Sequence, residues 1–116
     1  MKNFFDLHGI SRRKNTKEYF ETRLTGAGGL AVERIVSHGH SSPEGHWYDQ
    51  ELDEWVMVLE GEAGLTYEDG ERLVLGKGDS VLLPAHIRHR VEYTSSPCFW
   101  LAIFGNGLRV PEDTTR

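Results

Sequence analysis

Short apolar runs separated by turn residues dominate the chain from residue 19 onward. The runs at 19–24, 30–36, 55–59, 63–67, 72–75, 80–83, 90–94 and 98–104 are rich in β-branched and aromatic residues and four to seven residues long. Runs of that length and composition predict β-strands. Between them stand Gly26-Ala27-Gly28-Gly29, Glu60-Gly61-Glu62, Glu68-Asp69-Gly70-Glu71, Gly76-Lys77-Gly78-Asp79 and Ser95-Ser96-Pro97. The Asp69-Gly70 pair predicts a hairpin with a type I′ turn, which needs positive φ at both central residues. No stretch holds apolar positions at helical spacing over three turns, so the expected class is all-β, a sandwich or barrel. Two runs, 55–59 and 81–83, are apolar at consecutive positions. Strands of that kind are covered on both faces. A second copy of the chain is the commonest such cover, and a homodimer is the expectation.

Composition narrows the setting. At 116 residues the chain is long enough for one hydrophobic core, and a single domain over 1–116 with its barrel core at about 30–104 is expected. A formal net charge of −5 argues against a nucleic-acid partner, because phosphate affinity comes from Lys and Arg. The basic cluster Arg12-Arg13-Lys14 with Lys17 reads as a solvated loop. No apolar run reaches the ~18 residues of a membrane span. The start, Met1-Lys2-Asn3-Phe4-Phe5-Asp6, meets charge too early for a signal peptide, so a cytoplasmic setting is expected. Cys98 is the one cysteine and lies in an apolar run, where a buried, inert thiol is expected.

Two segments, 48–61 and 78–89, carry the chemistry. Glu54 stands seven residues before Gly61, and Gly78, Pro84 and His89 follow at intervals of six and five. Gly61 and Gly78 fall where strands turn and φ is free to be positive. Pro84 cannot donate to a ladder and belongs at a strand exit. Glu54 near a strand start and His89 after the Pro turn would meet inside a barrel, where an imidazole and a carboxylate can hold a divalent metal.

The spacing of these residues resembles both motifs of the cupin superfamily, over about residues 30 to 104. The resemblance implies a double-stranded β-helix, or jelly-roll barrel, with a metal site that includes Glu54 and His89. The chain departs from the pattern where the family carries His-x-His before the Glu. Here the corresponding residues are Tyr48 and Gln50, or Trp47 and Asp49, depending on the spacing taken. Tyr48 and Gln50 share a face if the segment is extended. Gln50 can ligate through its amide oxygen, and Asp49 is the stronger ligand on charge. His86 replaces the motif's Gly and Tyr93 its final Asn, which offers His86 as a second imidazole at the pocket mouth. His38-Gly39-His40 forms a His-x-His pair with Glu44 after it, but no Gly stands seven beyond that Glu. These histidines read as a polar loop at the barrel rim, with His46 the nearest to the pocket.

Fold resemblance alone does not choose a function. The leading expectation is a metal-dependent enzyme of dioxygenase, isomerase or lyase type acting on a small oxygen-bearing molecule. It would bind Fe, Mn, Ni or Zn through His89, Glu54 and Gln50 or Asp49, with Tyr48 and His86 as acid/base residues. The alternative is a small-molecule-binding or sensor cupin without a functional metal, its pocket lined by Trp47, Tyr48, Trp55 and His89. A purely architectural role for Glu54 would pair it with Arg88 or Arg90. The polar tail 111–116 is expected to fray.

Overall fold

The structure, a computed structural model, describes residues 2–10 and 18–112. The basic cluster at Arg12, Arg13, Lys14 and Lys17 and the last four residues of the tail lie outside the described residues. Eight strands follow in order: β1 (Tyr19–Thr25), β2 (Ala31–Ser37), β3 (Asp53–Glu60), β4 (Ala63–Tyr67), β5 (Arg72–Leu75), β6 (Ser80–Leu83), β7 (His89–Thr94) and β8 (Cys98–Gly105). Each apolar run of the sequence became one strand. The largest extension is β3, which begins two residues earlier than the apolar run and so takes in Glu54.

The strands form two antiparallel sheets, β1-β2-β8-β3-β6 and β5-β4-β7. Period-2 alternation sorts the side chains. In β3, Val56 and Val58 point inward and are buried, whereas Trp55 and Met57 point outward. In β8, Cys98, Trp100 and Ala102 join the inner layer. Ile35 of β2, Ala63 and Leu65 of β4, Leu75 of β5, Leu83 of β6 and Val91 of β7 supply the rest of the core. All-β architecture of jelly-roll type is therefore established. Among the described residues no helix is long and apolar enough to cross a membrane.

Residues 2–10 lie on β8 and β2, not on the runs 55–59 and 81–83 for which cover was expected. Phe5 packs edge-on to Phe99 at 5.1 Å between centroids. The buried guanidinium of Arg34 donates to the carbonyls of Phe4 (2.9 Å) and Asp6 (2.5 Å), which ties residues 2–10 to the sheet. Cys98 is fully buried, and burial above all pushes its thiol up to about 12, so it is inert as expected.

One turn differs from expectation. Gly70 has φ +94, but Asp69 is not in the positive-φ region, which excludes type I′. Instead Gly70 N donates to Tyr67 O at 2.9 Å, and Asp69 Oδ1 accepts from Glu71 N at 2.9 Å. The Asp side chain thus closes an Asx-turn and only the glycine needs the left-handed region.

Candidate functional site: a buried carboxylate and imidazole in one cavity

Between the two sheets lies a cavity of about 60 Å³. Its walls are mostly apolar, with Ile35, Val56, Leu65, Leu83, Val91, Trp100 and Phe104 contributing from six strands. Its polar groups are Glu18, Tyr48, Gln50, Glu54 and His89.

Glu54 comes from the start of β3, paired with Leu83 of β6 on one side and Phe104 of β8 on the other. It is 6% exposed. Its hydrogen bond comes from Gln50 Nε2 at 3.1 Å. The pairing with Arg88 or Arg90 does not form. Arg88 is engaged with Glu68, and Arg90 donates to Ser42 O and sits 3.2 Å from Glu92. Burial pushes Glu54 up to about 7; the Gln50 hydrogen bond opposes the rise, and the charges of Glu33 and Glu18 add to it.

His89 opens β7 and is 4% exposed. Its Nδ1 lies 3.1 Å from the Ile87 carbonyl. A carbonyl only accepts, so Nδ1 carries the proton in the neutral ring and Nε2 keeps its lone pair. Burial lowers the imidazole pKa and so favours that neutral form. The Tyr48 ring stacks on His89 at 5.5 Å and 26°. Backbone hydrogen bonds in both directions, 2.7 and 3.2 Å, bridge the same two residues. Burial first, then the carboxylates of Glu18 and Glu54, push the Tyr48 phenol up to about 12.

The bridge at Tyr48 decides between the two alternatives for residues 47–50. With the segment extended along β7, Tyr48 and Gln50 face the cavity and Asp49 faces out. Asp49 accepts from His86 Nδ1 at 2.8 Å on the protein surface, where the His86 side chain is 58% exposed. Neither residue lines the cavity. His86 sits at φ +64 in the turn after Pro84, and its N–H donates to Gln50 O at 2.9 Å. That turn carries its ring away from the cavity toward Asp49 and Glu51.

Other placements also differ from the sequence reading. His46 is exposed and packs edge-on to Tyr48 at 5.1 Å, outside the cavity. Trp47 lies under Arg90, and Trp55 is on the outer face of β3, so neither lines the cavity. His38 lies in the loop that follows β2, as expected, but is buried there. His40 places its Nε2 3.4 Å from Glu18.

Glu18 is the residue that sequence reasoning missed. It stands just before β1, and its side chain is 5% exposed. Ser37 Oγ donates to it at 2.5 Å, and Trp100 Nε1 donates to Ser37 Oγ at 3.1 Å. The inward parity of Trp100 was readable from the alternation in 98–104. Nothing local to Glu18 signals partners 19 and 22 residues away.

The donors fit a divalent cation in kind. A neutral imidazole and a carboxylate line one cavity with Gln50, whose Oε1 is buried and accepts no hydrogen bond. They are few: among the described residues no three His, Cys, Asp or Glu side chains gather to hold a metal. An ion here would have Glu54, His89 and the Gln50 amide oxygen as its protein donors.

A family model for the cupin domain matches residues 32–104. No curated protein matches the sequence. A crystal structure from Ralstonia eutropha JMP134, provisionally named a mannose-6-phosphate isomerase, is similar at 39% identity with a TM-score of 0.79. The match covers 92% of this chain and 98% of that one. A cupin superfamily protein from Desulfitobacterium hafniense DCB-2 is similar at 19% identity and TM-score 0.67, over 84% of each chain. A Cupin 2 conserved barrel domain protein from Leptotrichia buccalis is similar at 25% identity and TM-score 0.66, over 81% of this chain and 43% of that one. With the fold, the motif spacing and the family match in agreement, this chain belongs to the cupin domain family.

Proposed function

We propose that this cupin holds a divalent metal ion (Fe, Mn, Ni or Zn) through His89, Glu54 and Gln50. Beside it the cavity binds a small oxygen-bearing molecule for chemistry of the dioxygenase, isomerase or lyase type. The observation that supports this is Glu54, a carboxylate 6% exposed that has a neutral amide and, among the described residues, no cation as its hydrogen-bond partner. Burying an unpaired charge is costly, and a bound cation would remove that cost. When bound, such an ion polarises a ligand oxygen as a Lewis acid. The chain's own residues do the rest. Ile87 O fixes the His89 tautomer, the second contact that orients a ligating ring. The Tyr48 phenol, kept protonated, is hydrogen-bonded to Glu18, and that pair is the proton-transfer group at the cavity wall. Trp100, Phe104 and Leu83 exclude water around the ligand.

The isomerase name of the Ralstonia protein supports that class as one of the three. Elemental analysis of untagged protein tests the reading: about one divalent ion per chain is expected, lost in His89→Ala and strongly weakened in Glu54→Gln. No metal in the wild type, and no thermal shift on adding Mn, Ni or Zn, would contradict it.

A second reading, a binding or sensor cupin without metal, is favoured by the absence of His-x-His before Glu54. Ligand binding that survives exhaustive chelation would select it. The chain is also proposed to pair with a second copy through the outward face at Trp55, Leu82 and Ile103, where Val110 is 63% exposed. The buried, unpaired Cys98 suits a reducing compartment such as the cytoplasm.

A further inference from the structure

The polar groups of the cavity are unbalanced in hydrogen-bonding sense. Glu18 and Glu54, when ionised, only accept. Gln50 spends Nε2 on Glu54 and leaves Oε1 buried without a donor. His89 gives its Nδ1 proton to Ile87 O, so Nε2 also accepts. The Tyr48 phenol is hydrogen-bonded to Glu18, so its proton too is already given. Without an ion in the cavity, a molecule that satisfies this wall must bring O–H donors; a bound ion would take the lone pairs of His89, Glu54 and Gln50.

Charge points the same way. Glu18 and Glu33 both act on Glu54, so three carboxylates share this end of the barrel. Among the described residues His40 Nε2 lies 3.4 Å from Glu18, and the nearby arginines are engaged elsewhere: Arg34 on the carbonyls of Phe4 and Asp6, Arg90 on Ser42 O and Glu92, Arg88 on Glu68. A phosphate dianion, which carries acceptors and negative charge only, meets its own kind at this wall. Size adds a limit, since about 60 Å³ offers room for roughly four waters and hence a ligand of only a few heavy atoms.

We infer that the cavity selects a small uncharged molecule rich in hydroxyl donors, a short polyol or hydroxyketone, and rejects phosphate esters. The inference deepens the proposed function and rests on its assignment of this cavity as the ligand site.

The test is a pair of titrations of ¹⁵N-labelled, chelator-treated protein with dihydroxyacetone and with dihydroxyacetone phosphate, following the Trp100 indole N–H at the cavity wall. The expected result is a saturable shift with the ketone and a Kd at least about tenfold lower than for its phosphate ester. Glu18→Gln should narrow that gap several-fold by weakening repulsion of the ester. Equal or tighter binding of the ester overturns the inference, and so does no shift with either compound up to about 50 mM. Metal content is measured on the protein as purified, before chelation. No metal in that sample, with the ketone preference present, would overturn the metal reading and leave the selectivity standing; bound metal without the preference would do the reverse.

Discussion

Glu54 is where the energetics of single residues can be read most directly. Burial raises its pKa to about 7 from an ordinary value of 4.5, against the pull of the Gln50 hydrogen bond. The native state therefore holds a proton that the unfolded chain has released between those two values. Stability from this group is fully present below about 4.5 and is lost as pH rises through about 7. For metal-free protein the loss amounts to roughly 3 kcal/mol at most. His89, whose pKa is lowered by burial, works with the opposite sign, so the comparison must be against Glu54→Gln. Urea unfolding at pH 5 and pH 8 should show the variant gaining on the wild type at the higher pH. Equal pH slopes for the two proteins would contradict the account. Glu54 and His89 were legible from spacing, because two glycines and a proline fix where strands end around them. The choice between Asp49 and Gln50 was not, since it depends on how residues 48–50 pair with β7.

Among the elements, the turn between β3 and β4 is held to glycine twice over. Gly61 has φ +91, and a Cβ there would lie 2.2 Å from Ser95 Oγ and 2.7 Å from the Pro97 carbonyl. Gly78, between β5 and β6, has φ +86 but open space around it. Gly61→Ala should cost roughly 2 kcal/mol or more, and Gly78→Ala about 1 kcal/mol, as strain without a clash. Chemical denaturation of both variants checks the order; equal costs would mean that the contact at Ser95 and Pro97 is not tight. The strands themselves were readable because each apolar run is short and bounded by turn residues. The turn at Asp69-Gly70 was not, because one dipeptide serves both a type I′ turn and the Asx-turn that formed. A side chain bonding back to its own backbone decided between them.

At the scale of the whole molecule, residues 2–10 cover the outer face at Phe99 and Arg34, whereas the consecutive apolar runs 55–59 and 81–83 foretold cover elsewhere on it, over β3 and β6. The part at Trp55, Leu82 and Ile103 is where a second copy is proposed to pack. Sedimentation should then give a dimer, and Trp55→Glu with Ile103→Glu should give a folded monomer with unchanged far-ultraviolet circular dichroism. A wild type that sediments as a monomer at all concentrations would reject the pairing. The interior, by contrast, brings Glu18 from the edge strand's approach to face Glu54 across the cavity. Such an encounter of distant segments has no signature in either segment alone.

The central claim is that Glu54, His89 and Gln50 form a metal centre. Anomalous diffraction from crystals of untagged, manganese-loaded protein tests it most directly. The account predicts one peak per chain, in contact with His89 Nε2 and the Glu54 carboxylate. A peak at the exposed Asp49–His86 pair instead, or no peak in the barrel, would contradict it.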